Sequence, residues 1–273
     1  MDNNIKQLDG AQIPGALAEA YEIVPGRADA GLIILCDHAS NTLPDEYGTL
    51  GLDPKQLERH IAYDIGCEGV SRTLAKMLNA PAILTRYSRL LIDPNRGEDD
   101  PTLIMRISDG AVVPGNRHIC SVERDKRLNT YYRPYHQAID ALIDQCQATG
   151  VTPTLFSIHS FTENWRGYSR PWHVGILWDQ DARLAKPLLD VLAAQTDLVV
   201  GDNEPYSGEM HGDCMWQHGT CRNLPHAIVE LRQDLIGSID GQNHWATRLA
   251  QALRQLKNSP DLQIKFPQLV APE

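Results

Sequence analysis

Gly31-Leu32-Ile33-Ile34-Leu35-Cys36-Asp37-His38-Ala39-Ser40-Asn41 is an apolar run that ends abruptly in an acid, an imidazole and a small polar turn. A short uninterrupted apolar run bounded by turn residues reads as a strand buried on both faces. The layout recurs at Thr154-Leu155-Phe156-Ser157-Ile158-His159-Ser160 and at Ala227-Ile228-Val229-Glu230-Leu231-Arg232. Three buried strands therefore carry His38, His159 and Glu230 to their ends. In an open α/β sheet, sites form in the crevice beyond the C-terminal strand ends. The pattern points to a metal-dependent hydrolase.

Helical patterns alternate with these strands. Asp53-Pro54 is a good helix start. Leu57, Ile61 and Ile65 then recur at four-residue steps, and Val70, Leu74, Met77 and Leu78 continue the stripe past Gly66 and Gly69. Further strands are expected over 82–85, 90–92, 173–178 and 198–200. The stretch 98–121, rich in Gly, Pro and charge, predicts a long loop over the site. A 3.6-residue period predicts a helix over 122–148, kinked or split at Pro134. Asp181 caps a helix running to about 194, and a last helix covers about 242–256. The alternation predicts a three-layer α/β/α sandwich with a mixed sheet. Residues 1–27 read as an N-terminal arm, 28–273 as a single domain, and the stretch after Pro260 as an irregular strap.

Composition narrows the function. The 273 residues carry a formal net charge of -10 without a basic block, which argues against a nucleic-acid surface. The start, Met-Asp-Asn-Asn, lacks a basic-then-apolar leader, and no apolar run approaches the roughly 18 residues of a membrane span. Six cysteines are scattered without a CxxC pair. Buried thiols at Cys36 and Cys146 and a reducing, cytoplasmic setting are the expectation. The oligomeric state stays open.

The polar residues carry the chemistry. Catalytic zinc takes three protein ligands and keeps one position open. Two strand-end histidines therefore need a third donor. Asn41 and Asp64 are the candidates, and the carboxylate is the better one. The bland alternative makes His38 a turn residue bonded to Asp37 or Ser40. An acid at Glu230, inside an apolar strand, is costly unless paired or functional. Either it pairs with an arginine such as Arg232, or it is a general base. Arg96 follows a predicted strand, where a loop can aim it inward. Arg133 and His136 lie about one helical turn apart. The chain has no phosphate-binding glycine loop, no G-x-S-x-G elbow and no H-E-x-x-H, so any zinc site is assembled from distant segments.

Together, Asp37–Asn41, Ala62–Gly66, Ile92–Arg96, Tyr131–His136, Ser157–Phe161, Asn203–Gly208 and His226–Asp234 resemble the N-formylglutamate amidohydrolase family, in order and spacing. The resemblance covers about residues 30–256. It implies a phosphorylase/hydrolase-like fold related to zinc carboxypeptidases, one Zn2+ per chain, and hydrolysis of N-formyl-L-glutamate to formate and L-glutamate. It also implies that His38 and His159 are metal ligands with Asp64 completing the shell or supporting it, and that Glu230 is the base with His136 assisting. Arg96, Arg133, Arg232 and Asn203 become the substrate-binding candidates for a small acidic N-acyl amino acid. The chain departs from the pattern at Asn41, where related carboxypeptidase-type sites carry a glutamate. Two other readings follow: a zinc deacylase acting on another N-acyl amino acid, and a non-catalytic metabolite-binding protein that keeps the fold.

Overall fold

In the computed structural model, which describes residues 12–256 and 259–264, the apolar runs pair into one mixed sheet. Its strands are β1 (Ala16–Leu17), β2 (Tyr21–Val24), β3 (Leu32–Cys36), β4 (Ala82–Thr85), β5 (Thr154–Phe161), β6 (Val174–Leu177), β7 (Val200–Asp202) and β8 (His226–Arg232). Their order across the sheet is β7-β6-β8-β5-β3-β4-β2-β1. The central strands β8, β5, β3 and β4 are parallel. Antiparallel neighbours, β6 against β8 and β2 against β4, flank them.

Helices α1 (Cys67–Leu78), α2 (Arg133–Gln147), α3 (Ala182–Ala193) and α4 (Ile239–Gln255) supply the outer layers. On one face, Leu32, Ile34, Phe156, Ile158, Ala227 and Val229 pack with apolar residues of α1, α3 and α4. On the other, Ile33, Leu35, Leu155 and Ile228 pack with Ile139, Leu142 and Ile143 of α2. Burial on both faces is why these strands are continuously apolar instead of alternating. The expected three-layer α/β/α arrangement with a mixed sheet is present.

Several local expectations change. The 90–92 run forms a turn, not a strand, although Leu90, Leu91 and Ile92 are fully buried. They pack among Tyr87, Leu103, Leu128 and Tyr131 or beside Leu50 and Val113, so tertiary burial imitates a strand's composition. The stripe from Leu57 to Leu78 is interrupted: a single turn at Pro54–Leu57 is followed by turns, and α1 starts at Cys67. The 122–148 helix is a helix at Ser121–Arg127, a wide turn at Leu128–Tyr132 and then α2. Pro134 has no N–H to give to the carbonyl four residues back, and widening the helix just before it absorbs that loss. The 98–121 excursion carries a hairpin, Ile107–Ser108 with Ala111–Val112. Of the N-terminal arm, Ala16–Leu17 and Tyr21–Val24 join the sheet. The strap expected after Pro260 is irregular through Ile264, and the remainder lies outside the described residues.

Gly66 breaks the stripe for a specific reason. Its φ is +84°, and an added Cβ would lie 2.2 Å from the carbonyl oxygen of Ile236. Gly66→Ala should therefore destabilise the fold by roughly 2–4 kcal/mol in urea unfolding. A variant matching the parent would refute the close-approach argument.

Candidate functional site

Side chains alternate along a strand, so the face of β5 that carries Leu155 also carries Ser157 and His159. The face of β8 that carries Ile228 also carries Glu230. Parallel register sets His159 directly opposite Glu230. His38 leaves the end of the adjacent β3, and the backbone amide of Asp64 donates to the His38 carbonyl at 2.9 Å. Three strand ends and one tethered turn thus meet at one edge of the sheet.

Asp64 is at the centre of this meeting point. Its Oδ2 lies 3.3 Å from His38 Nδ1 and 2.9 Å from His159 Nδ1. The outer nitrogens of both rings face other carboxylates. His38 Nε2 donates to Asp93 Oδ1 at 2.7 Å, and His159 Nε2 donates to Asp37 Oδ2 at 3.1 Å. Asp37 also accepts from Tyr135 Oη at 2.6 Å and from Ser157 Oγ at 3.0 Å. Asp93 accepts from Arg89 Nε at 3.0 Å and Nη2 at 2.7 Å. Carboxylates that hold the far nitrogen of each ring fix its tautomer and aim its near nitrogen inward, as in metal-binding histidines. His38, Asp64 and His159 are all buried, with one donor atom from each within 4.8 Å of the others. An oxygen and two imidazole nitrogens form a donor set suited to a divalent metal.

The electrostatics make the same demand. Burial alone would raise Asp64, but His38 and His159 hold its carboxyl well below the usual range. Burial likewise opposes the charge on Asp37, yet His159 and Tyr135 keep it well below. His159 is pushed well above the ordinary histidine value, because Asp37 and Asp64 outweigh the cost of burying its cation. Such a cluster calls for positive charge at its centre. Glu230 behaves oppositely: burial pushes its carboxyl up to about 7. Its Oε2 is buried with no hydrogen-bond partner among the described residues.

These groups open into a cavity of about 440 Å³ lined by His38, Asp64, Arg89, Arg96, His159 and Glu230, with Tyr206, Ser207 and Met210 at its rim. Arg96 Nη1 donates to its neighbour's carbonyl, Asn95 O, at 2.8 Å and approaches Met210 Sδ at 3.9 Å. Four other residues expected at the site do not line this cavity. Arg133 is paired with Glu98 at 2.8 Å. Arg232 pairs with Asp234 at 2.8 Å and donates toward the carbonyls of residues 170–172. Asn203 accepts from the amides of Trp178 and Gly208, both at 3.0 Å, and so shapes the rim loop from behind. His136 is buried with both ring nitrogens engaged, by Pro94 and His218. Asn41 donates its amide N–H to the Leu57 carbonyl at 2.9 Å, whereas Asp64 is the carboxylate grouped with both histidines. The 98–121 excursion approaches the site through Asp109, 3.4 Å from Nε2 of His60, which also lines the cavity.

Sequence reasoning weighed Asp37 only as a turn partner of His38 and did not single out Asp93 or Arg89 for the site. Asp93 had a signal: it closes an apolar run, and a buried acid needs a partner for the same reason as Glu230.

Asp213 lines the cavity as well. Its Oδ1 accepts from Trp216 N at 2.7 Å, whereas Oδ2 is buried without a partner among the described residues. Burial pushes this carboxyl from an ordinary 3.8 up to about 7. The folded state therefore binds the proton more tightly than the unfolded chain does. Stability falls as pH rises from about 4 to about 7, by roughly 4 kcal/mol in all. Asp213→Asn should leave stability unchanged near pH 4 and raise it by a few kcal/mol at pH 8, read from urea unfolding across pH. An equal effect at both pH values would contradict this.

A family model described as N-formylglutamate amidohydrolase matches residues 30–237. Among solved structures, the chain is similar to a gene product of Agrobacterium tumefaciens, with 32% identity, a TM-score of 0.82, and coverage of 88% of this chain and 97% of that one. It is also similar to N-formylglutamate amidohydrolase from Ralstonia eutropha JMP134, with 18% identity, a TM-score of 0.67, and coverage of 87% and 99%. At that identity the second likeness speaks for the fold alone. No curated protein matches the chain by sequence.

Proposed function

Because the chain belongs to the N-formylglutamate amidohydrolase family, we propose that it hydrolyses the amide of a small acidic N-formyl amino acid, N-formyl-L-glutamate foremost, to formate and the free amino acid. The observation that carries this reading is Asp64 Oδ2 between two inward-aimed imidazoles, with the unpartnered Glu230 carboxylate across the strand from one of them.

His38, His159 and Asp64 would hold the metal, with zinc as the proposed ion, and the remaining residues divide the work. A divalent ion there supplies Lewis acidity toward the scissile carbonyl and toward water. Asp37 and Asp93 keep both rings aimed and basic. Glu230 takes a proton from the attacking water through its free oxygen and returns it to the departing nitrogen. A carboxyl pushed up to about 7 suits that exchange near neutrality, because it neither holds the proton too tightly nor refuses it. Arg96 is held by a backbone carbonyl and a thioether, not a carboxylate, so its guanidinium is available to a substrate carboxylate.

The test is metal analysis of the purified protein, coupled to formate release from a panel of N-formyl and other N-acyl amino acids before and after chelation. Chelator-sensitive formate release, fastest with N-formylglutamate, is the expected result. Release of a different acyl group would move the assignment to a deacylase. No turnover with the metal present would overturn the catalytic reading.

A further inference from the structure

We infer that His136, His218 and Cys214 form a second divalent-metal site, of the zinc class, behind the cavity wall. All three side chains are buried, with one donor atom from each within 4.8 Å of the others. They come from two segments: His136 from the first turn of α2, Cys214 and His218 from the chain around the wide turn Trp216–Thr220. The inference does not rest on the proposed reaction.

The argument is a count of protons. His136 Nε2 lies 3.1 Å from the Pro94 carbonyl oxygen, which can only accept, so this nitrogen carries hydrogen. His218 Nδ1 lies 3.0 Å from Asp140 Oδ1, which also accepts from Arg222 Nη1 at 2.9 Å. Asp140 is ion-paired with Arg222, so its carboxylate oxygen accepts and His218 Nδ1 carries hydrogen too. Both outer nitrogens are therefore protonated. In neutral rings, the inner nitrogens then present two lone pairs to each other across 2.8 Å. The rings meet edge to edge, 18° from coplanar with centroids 5.1 Å apart. Facing lone pairs repel, so a cation belongs between them.

That cation is either one shared proton or a metal. The outer partners, a backbone carbonyl and a carboxylate, are those that metal-binding histidines typically use, and the carboxylate at His218 matches those behind His38 and His159. The thiol favours the metal. A shared proton has no use for a third donor, whereas two imidazoles and a cysteine sulfur are a zinc-type set. A coordinating thiol gives up its proton outright, so buried Cys214 can serve as the third donor. Metal–nitrogen bonds of about 2.0–2.1 Å require the two rings to part by a few tenths of an ångström. A metal there would tie α2 to the segment that supplies Asp213, and Cys214 N already donates to Asn95 Oδ1 of the cavity wall at 3.0 Å.

The test uses the full chain produced in zinc-replete medium, with metal content measured and the visible and near-ultraviolet spectrum recorded after cobalt exchange. The parent should hold about two ions per chain and show a sulfur-to-cobalt charge-transfer band. Asp64→Asn should lower the content to about one ion and keep the band, while Cys214→Ser should lower it to about one and lose the band. If Cys214→Ser does not fold, parent and Asp64→Asn still decide the question. About one ion per chain, lost in Asp64→Asn and with no thiolate band, would overturn the second site and leave a proton between the rings. Failure of the cavity site looks different: Asp64→Asn would then leave metal content unchanged. A chain with no ion under these conditions would overturn both.

Discussion

Glu230→Gln is expected to lower kcat by about 10³-fold, with KM and metal content within about twofold of the parent. Glutamine keeps the shape of the side chain and removes its ability to accept a full proton. Because Oε2 has no partner among the described residues, no structural bond there is lost with it. The pH profile gives a second readout. A carboxylate base works only when ionised, and burial pushes the Glu230 carboxyl up to about 7. Parent kcat/KM should therefore climb with pH to a plateau above that value, and the residual activity of the variant should lose this dependence. Stability should move in the opposite sense. A carboxyl raised on folding weakens the fold as pH rises from about 4.5 to about 7, so the glutamine variant should be the more stable protein at pH 8. A loss of less than tenfold, or one that tracks metal content, would remove Glu230 from the role of base.

Asp64→Asn is expected to remove turnover by another route, with affinity for the cavity metal falling by at least about 100-fold. One oxygen of this carboxylate serves His38, His159 and the amide of Ser160, the last at 3.3 Å. The other faces Arg89 Nη1 at 3.5 Å. An amide in its place loses the charge that sets both imidazoles and the guanidinium around it. Formate release should fall to background in unsupplemented buffer and recover in part with excess metal. Equilibrium dialysis separates this from damage to the fold: a variant that binds metal like the parent would show that Asp64 is no ligand.

What the sequence disclosed follows from how local each signal is. His38, His159 and Glu230 were legible because each ends an apolar run, and the sheet converts that chain-local pattern into a shared edge. The central parallel strands were legible for the same reason, since burial on both faces leaves no alternation to misread. Asp37 and Asp93 act through rings 122 and 55 positions away in the chain, and no spacing rule spans such separations. The arginines show the converse. Arg96, Arg133 and Arg232 look equally able to meet a substrate, yet Arg133 is held by Glu98 and Arg232 by Asp234. The run at 90–92 failed as a strand because full burial within a turn has the same composition as full burial within a sheet.

The parallel register that sets Glu230 beside His159 has a consequence for redesign. Adjacent strands stand about 4.8 Å apart in any sheet, so the spacing of these two groups is a property of the backbone lattice and not of the side chains around them. The rim comes from elsewhere: Tyr206, Ser207 and Met210 ride on a loop pinned at Asn203, outside that lattice. Floor and rim of the cavity are thus mechanically separate parts. Loop grafts between residues 205 and 212 can be exchanged to seek new acyl amino acids while the distance that the chemistry depends on stays fixed.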